Sequence, residues 1–115
     1  MVRLTIVEAL EEAGYQVLEA EDGAAAIEQI DQADSLRGLV TDIRIGSGPL
    51  GWEVAHHARV KFSGLPVVYV TGDSGGDWSA NGVPQSAILQ KPFVCAELVT
   101  ALANLLVAIQ PAPQN

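Results

Sequence analysis

Three short stretches combine residue types that could together handle a phosphoryl group: Thr41-Asp42, Val70-Thr71-Gly72 and Gln90-Lys91-Pro92-Phe93. A carboxylate can attack phosphorus, a lysine ammonium can neutralise phosphoryl oxygens, and a hydroxyl beside a free backbone N–H can hydrogen-bond them. Taken singly, Asp42 would read as a strand terminator and Thr71 as an ordinary turn residue. Lys91 could equally form a structural ion pair with Asp42, as in a site that no longer reacts. Their joint occurrence, each closing an apolar run, favours the chemical reading.

The elements that must position these groups alternate along the chain. Val2, Ile6, Val7 and Leu10 recur at helical spacing before Gly14, so the chain opens on a helix. Tyr15 to Ala20 is rich in strand formers and is predicted to be a strand, followed by an Ala-rich helix from Ala24 to Ala33. Leu39 to Ile43 reads as a buried strand that delivers Asp42 at its C-terminal end. The Gly46 to Gly51 loop comes next, then a helix from Trp52 to Lys61 and a strand from Pro66 to Val70. A short helix over Asp77 to Asn81, a strand from Ser86 to Gln90 and a long helix from about Cys95 to Ile109 complete the pattern. Gln110 to Asn115, with two prolines, reads as a loose tail. Such alternation predicts an α/β fold, a mostly parallel sheet with helices on both faces. In sheets of that kind functional groups gather at the carboxyl ends of the strands, where Asp42, Thr71 and Lys91 fall.

Composition narrows the classes. A chain of 115 residues is sized for one core. Six basic against fourteen acidic residues give a net charge of −8 with no Lys/Arg cluster, which disfavours direct nucleic-acid binding. No run approaches the roughly 20 apolar residues of a membrane span. One cysteine, Cys95, and no charged-then-apolar leader lead us to expect a cytoplasmic protein. Adjacent His56 and His57 point about 100° apart on a helix, which suits a solvated face rather than a metal site. The glycine-rich loop lacks the closing Gly-Lys-Ser/Thr of a P-loop and reads as a flexible segment beside the site.

In this order and placement the motifs resemble the receiver domain of two-component response regulators. The marks are Gly14-Tyr15 before a strand, Ala20 with Asp22-Gly23-Ala24-Ala25-Ala26, Thr41-Asp42-Ile43, Pro66-Val67-Val68 with Val70-Thr71-Gly72, and Lys91-Pro92-Phe93. The resemblance covers residues from about 2 to 108 and implies a flavodoxin-like fold: a receiver domain over 1–109 and a flexible tail over 110–115. It implies that Asp42 is the phosphoacceptor, Thr71 the switch hydroxyl and Lys91 the lysine on the acyl phosphate. Gly72 would offer its N–H to the phosphoryl group, and Mg²⁺ would be held by Asp42 and the Arg44 main-chain carbonyl. Such a module is a signalling protein rather than an enzyme: it takes a phosphoryl group from a histidine kinase or phosphotransfer protein and signals through protein contacts. The family's usual contact face maps to Trp78, Ile88 and Ala96 to Leu105, which makes a homodimer an expectation.

Two departures stand out. We expect a receiver shortened at its N-terminus: Met1 falls at or just before the first helix, so the family's first strand, with the acidic pair that helps hold Mg²⁺, is not read in these residues, and Glu8, Glu11 and Glu12 lie on that helix. Ile88 occupies the position where many receivers carry Tyr or Phe. The missing acids support an alternative, a pseudo-receiver that keeps the fold as an interaction module without Mg-dependent phosphorylation. A phosphatase of the haloacid dehalogenase type is disfavoured, since Arg44 stands where its second carboxylate belongs.

Overall fold

A computed structural model describes residues 3–43, 48–71, 82–83, 86–90 and 95–109. Helix α1 (Arg3–Glu12) ends where Gly14 adopts a left-handed φ of 99°. Its last carbonyls are closed by a Schellman pattern, Tyr15 N–H donating to Leu10 O and Gly14 N–H to Glu11 O, each at 3.0 Å. Helix α2 (Gly23–Gln32) starts on Asp22, whose carboxylate accepts from the Ala25 N–H at 2.8 Å. After strand β1 (Leu39–Asp42), helix α3 (Gly51–Lys61) carries Glu53 in its first turn, accepting from the Leu50 N–H, and Arg59 and Lys61 in its last turn. Strands β2 (Val67–Thr71) and β3 (Ser86–Gln90) follow, and helix α4 (Cys95–Ile109) comes last.

The three strands form a parallel sheet in the order β1-β2-β3, with Leu39 opposite Val67 and Val67 opposite Ser86. Helices cover both faces. Helices α1 and α4 pack on one, where Leu10, Leu98 and Leu102 close over Val68 and Val70. Helix α3 covers the other through Trp52 and Ala55 against Val67 and Tyr69, with α2 packed outside it through Ile30 against Val54 and Ala58. Every side chain of β2 is buried, as expected for a central strand whose run Val-Val-Tyr-Val-Thr shows no polar alternation.

The segment Tyr15 to Ala20 corrects the sequence reading. It joins no ladder, although Tyr15 and Val17 pack against the α1/α4 core and Leu18 points outward, 62% exposed. A strand needs a neighbour as well as strand-forming residues. Among the described residues none pairs with the outer side of β1, where the receiver order would put a central strand. The predicted helix over Asp77 to Asn81 and the tail from Gln110 lie outside the described residues.

On the solvated face of α3, the Nε2 of His57 lies 2.7 Å from a carboxylate oxygen of Asp31 on α2. One turn further on, the Lys61 ammonium donates to the carbonyls of Ile30, Asp31 and Ala33 at 3.1, 2.7 and 2.6 Å. A single side chain of α3 thus meets three carbonyls at the end of α2, one of which, Ile30 O, also accepts from the Ala33 N–H. Lys61→Met keeps the apolar stem and removes the donors. We expect it to lower stability by about 1 kcal/mol in urea denaturation, the scale of a partly solvated hydrogen-bonded cap.

Candidate functional site

The parallel register brings the C-terminal ends of all three strands to one edge. Asp42 closes β1 opposite Val70, Thr71 closes β2 opposite Gln90, and Gln90 closes β3 immediately before Lys91. Adjacent strands lie about 4.8 Å apart, so a group attached at Asp42 is within side-chain reach of the end of β2. Asp42 is half-buried and Thr71 is buried at 4% exposure. Strand alternation puts Thr71 with Tyr69 and Val67 on the α3 side, whereas Asp42 shares the side of its partner Val70. The two groups flank the end of the sheet. Arg44, Gly72 and Lys91, the other residues expected here, lie outside the described residues.

Three features at this edge were not apparent in the sequence. The buried Thr41 hydroxyl donates to the Asp42 carbonyl oxygen at 2.7 Å, fixing the peptide that follows the acid. Gly51, expected to be in the loop, instead opens α3, and its N–H donates to Ile43 O at 2.7 Å. A Cβ on Gly51 would stand 2.2 Å from the Asp42 carbonyl oxygen. On the other flank, a Cβ on Gly23 would stand 2.4 Å from the Pro49 carbonyl oxygen, so the start of α2 also presses on the chain that follows Asp42. The signal for Gly51 was its place directly before Trp52 and a helical pattern; no local pattern could announce the crossing backbone.

Beneath the edge, Trp52 in the first turn of α3 packs on Tyr69, with ring centroids 4.6 Å apart and planes at 59°. The Tyr69 hydroxyl accepts from the Val83 N–H at 3.1 Å. Burial pushes the Tyr69 hydroxyl above its ordinary value of 10.0, opposed by that hydrogen bond and by the Arg59 guanidinium. Among the described residues every buried side-chain nitrogen or oxygen has a partner.

Known proteins place this arrangement. The response regulator receiver protein CpdR of Brucella abortus (strain 2308) is 32% identical over 109 residues, spanning 93% of this chain and 89% of that protein. The chain belongs to the response regulator receiver family. A crystal structure of a receiver protein from Sinorhizobium medicae WSM419 matches this receiver domain with a TM-score of 0.89 and 42% identity, over 93% of this chain and 86% of that one. The receiver domain of the sensor histidine kinase PA1611 from Pseudomonas aeruginosa PAO1, solved with magnesium coordinated in its active-site cleft, shares the fold. Its TM-score is 0.76 at 22% identity, over 91% of this chain and 88% of that one. No protein-family model matches the chain.

Among the described residues no three His, Cys, Asp or Glu side chains gather around one point. Mg²⁺ demands an octahedron of oxygens, and Asp42 is the one described member of the expected set.

Two outcomes are expected. Gly51→Ala would ordinarily stabilise an exposed helix by roughly 1 kcal/mol. Here the new methyl meets backbone that cannot move aside, so we expect a net loss of about 1–3 kcal/mol in urea denaturation. For Tyr69, the unfolded chain gives up its proton first as pH rises past 10.0 while the native hydroxyl keeps its own, so stability falls in that range. Equilibrium unfolding from neutral pH to above 10 should show Tyr69→Phe less stable at neutrality and with a shallower alkaline fall.

Proposed function

We propose that this receiver domain accepts a phosphoryl group on Asp42 from the phosphohistidine of a histidine kinase or phosphotransfer protein. A carboxylate oxygen of Asp42 bonds to phosphorus as the P–N bond breaks, and the bonding pair leaves with the imidazole nitrogen, which takes up a proton. Thr71 donates its hydroxyl hydrogen to a phosphoryl oxygen, Lys91 neutralises the added charge, and the Gly72 N–H takes a further oxygen. The observation that carries this reading is the shared edge: Asp42 and Thr71 close adjacent strands, and β3 ends beside them at Gln90, the residue before Lys91 in the sequence. Phosphorylation would then alter the protein-contact surface around Ile88 and Ala96 to Leu105, through which a homodimer or an output partner would engage.

A second reading is favoured by the lack of a three-acid cluster among the described residues. It makes the chain a pseudo-receiver that keeps the fold and the contact surface without Mg-dependent chemistry.

Intact mass after incubation with acetyl phosphate and Mg²⁺ separates the two. The receptor role requires one added phosphoryl group that is absent in Asp42→Asn, with Lys91→Ala slowed by about two orders of magnitude, as when a charge-stabilising donor is removed. No added mass in the wild-type chain, with this donor or with a phosphorylated kinase domain, would sink that role and leave the pseudo-receiver. Repeating the reaction with Mg²⁺ chelated shows whether the transfer requires the metal.

A further inference from the structure

The usual aromatic partner of Thr71 is replaced by Ile88, yet an aromatic pair occupies the same face of the sheet one layer away. Ile43, Trp52, Ala55, Val67, Tyr69 and Val83 form one buried cluster, and Ile88 packs against it. At one end of the cluster the backbone of Gly51 donates to Ile43 and presses on the Asp42 carbonyl. The next residue, Trp52, lies on the Tyr69 ring, which is fully buried. At the other end the Tyr69 hydroxyl holds the N–H of Val83, itself buried, three residues before β3 begins. Val83 is tied further to the strand, since its carbonyl accepts from the Ser86 hydroxyl at 2.7 Å.

We infer that Trp52 and Tyr69 form the coupling element of this receiver domain, linking the backbone around Asp42 to the chain leading into β3 through the Tyr69–Val83 hydrogen bond. The inference rests on the proposed chemistry at Asp42 and adds how a change there is transmitted. A shift of the Asp42–Ile43 peptide displaces Gly51 and the first turn of α3, because no space separates them. Trp52 moves with that turn. Tyr69 cannot follow freely: its strand is paired on both sides and its side chain is enclosed, so the strain falls on the hydroxyl's bond to Val83, where the partner is a loop rather than a ladder. Thr71, two residues along on the same face of β2, feels the phosphoryl group from the other side. Tyr69 is thus a positioning residue: it need not touch the phosphoryl group, and its loss should spare phosphorylation while breaking transmission.

The test uses the full chain carrying Trp78→Phe, which leaves Trp52 as its one tryptophan. Exchange of the Val83 amide is followed by NMR together with Trp52 emission and intact mass, before and after acetyl phosphate and Mg²⁺, with and without Tyr69→Phe. Without donor, Tyr69→Phe should speed Val83 exchange about tenfold, the equivalent of one lost hydrogen bond, while thermal unfolding remains cooperative. With donor, the parent chain should gain the phosphoryl mass and change both Val83 exchange and Trp52 emission. The Tyr69→Phe chain should gain the same mass at a rate within about threefold, with Val83 exchange unresponsive. A gain in mass with no change at Val83, or with an equal change in both chains, overturns the coupling and leaves the phosphoacceptor reading standing. No gain in mass defeats the phosphoacceptor reading instead, and the coupling is then judged by Asp42→Asn as the perturbation. An altered Val83 exchange that requires Tyr69 supports the coupling, and an unaltered one, or an equal change in both chains, overturns it.

Discussion

Everything at the functional edge depends on β2 being enclosed on all sides. It pairs with a strand on each flank, and each of its five side chains is buried, with Val68 and Val70 against α4 and Val67 and Tyr69 against α3. A one-residue slip would exchange Tyr69 for Val70 or Val68 between two differently shaped cores, so the register is set by packing as well as by hydrogen bonds. Because β1 and β3 take their registers from β2, that one choice brings Asp42, Thr71 and Gln90 to the same end.

The second constraint is close backbone approach. After Asp42 the chain must turn back into α3 without burying unpaired peptide groups, and it does so by bringing Gly51 against the carbonyl that Thr41 also holds. Gly23 lets α2 rest on Pro49 in the same way. Two helices and a strand therefore meet on a few peptide units beside the acid. These contacts are between backbones, which yield less than long side chains do, and a displacement at the acid has few ways to dissipate locally.

Much of this was legible in the sequence because the deciding forces are local. The helices at 3–12, 23–32, 51–61 and 95–109 follow, within a residue or two at their ends, from apolar spacing, the Ala-rich run after Gly23 and the Gly14 terminus. The strands ending in Asp42, Thr71 and Gln90 follow from short apolar runs that stop at polar residues. What failed to show was non-local. Tyr15 to Ala20 has the residues of a strand and buries Tyr15 and Val17 as one would, but local preference cannot supply a partner's N–H and C=O groups. His57 finds Asp31 across 26 positions, and Tyr69 finds Val83 across 14, distances over which no spacing rule operates. Residue types at the ends of apolar runs pointed to Asp42 and Thr71 as candidates, whereas the aromatic pair beneath them emerged only from the packing.

Charge gives the site its remaining logic. The chain carries six cations against fourteen acids, and phosphorylation of Asp42 would replace a carboxylate of charge −1 by an acyl phosphate approaching −2, a net gain of about one negative charge. Arg59 spends its Nε–H on the Leu65 carbonyl and Lys61 its ammonium on the end of α2. Arg37 precedes β1, at the opposite end of that strand from Asp42. Of the cations that remain, Arg44 follows the end of β1 by two positions and Lys91 directly follows the end of β3 in the sequence. In so acidic a molecule, a cation near a new anion would offset part of the repulsion from the surplus carboxylates.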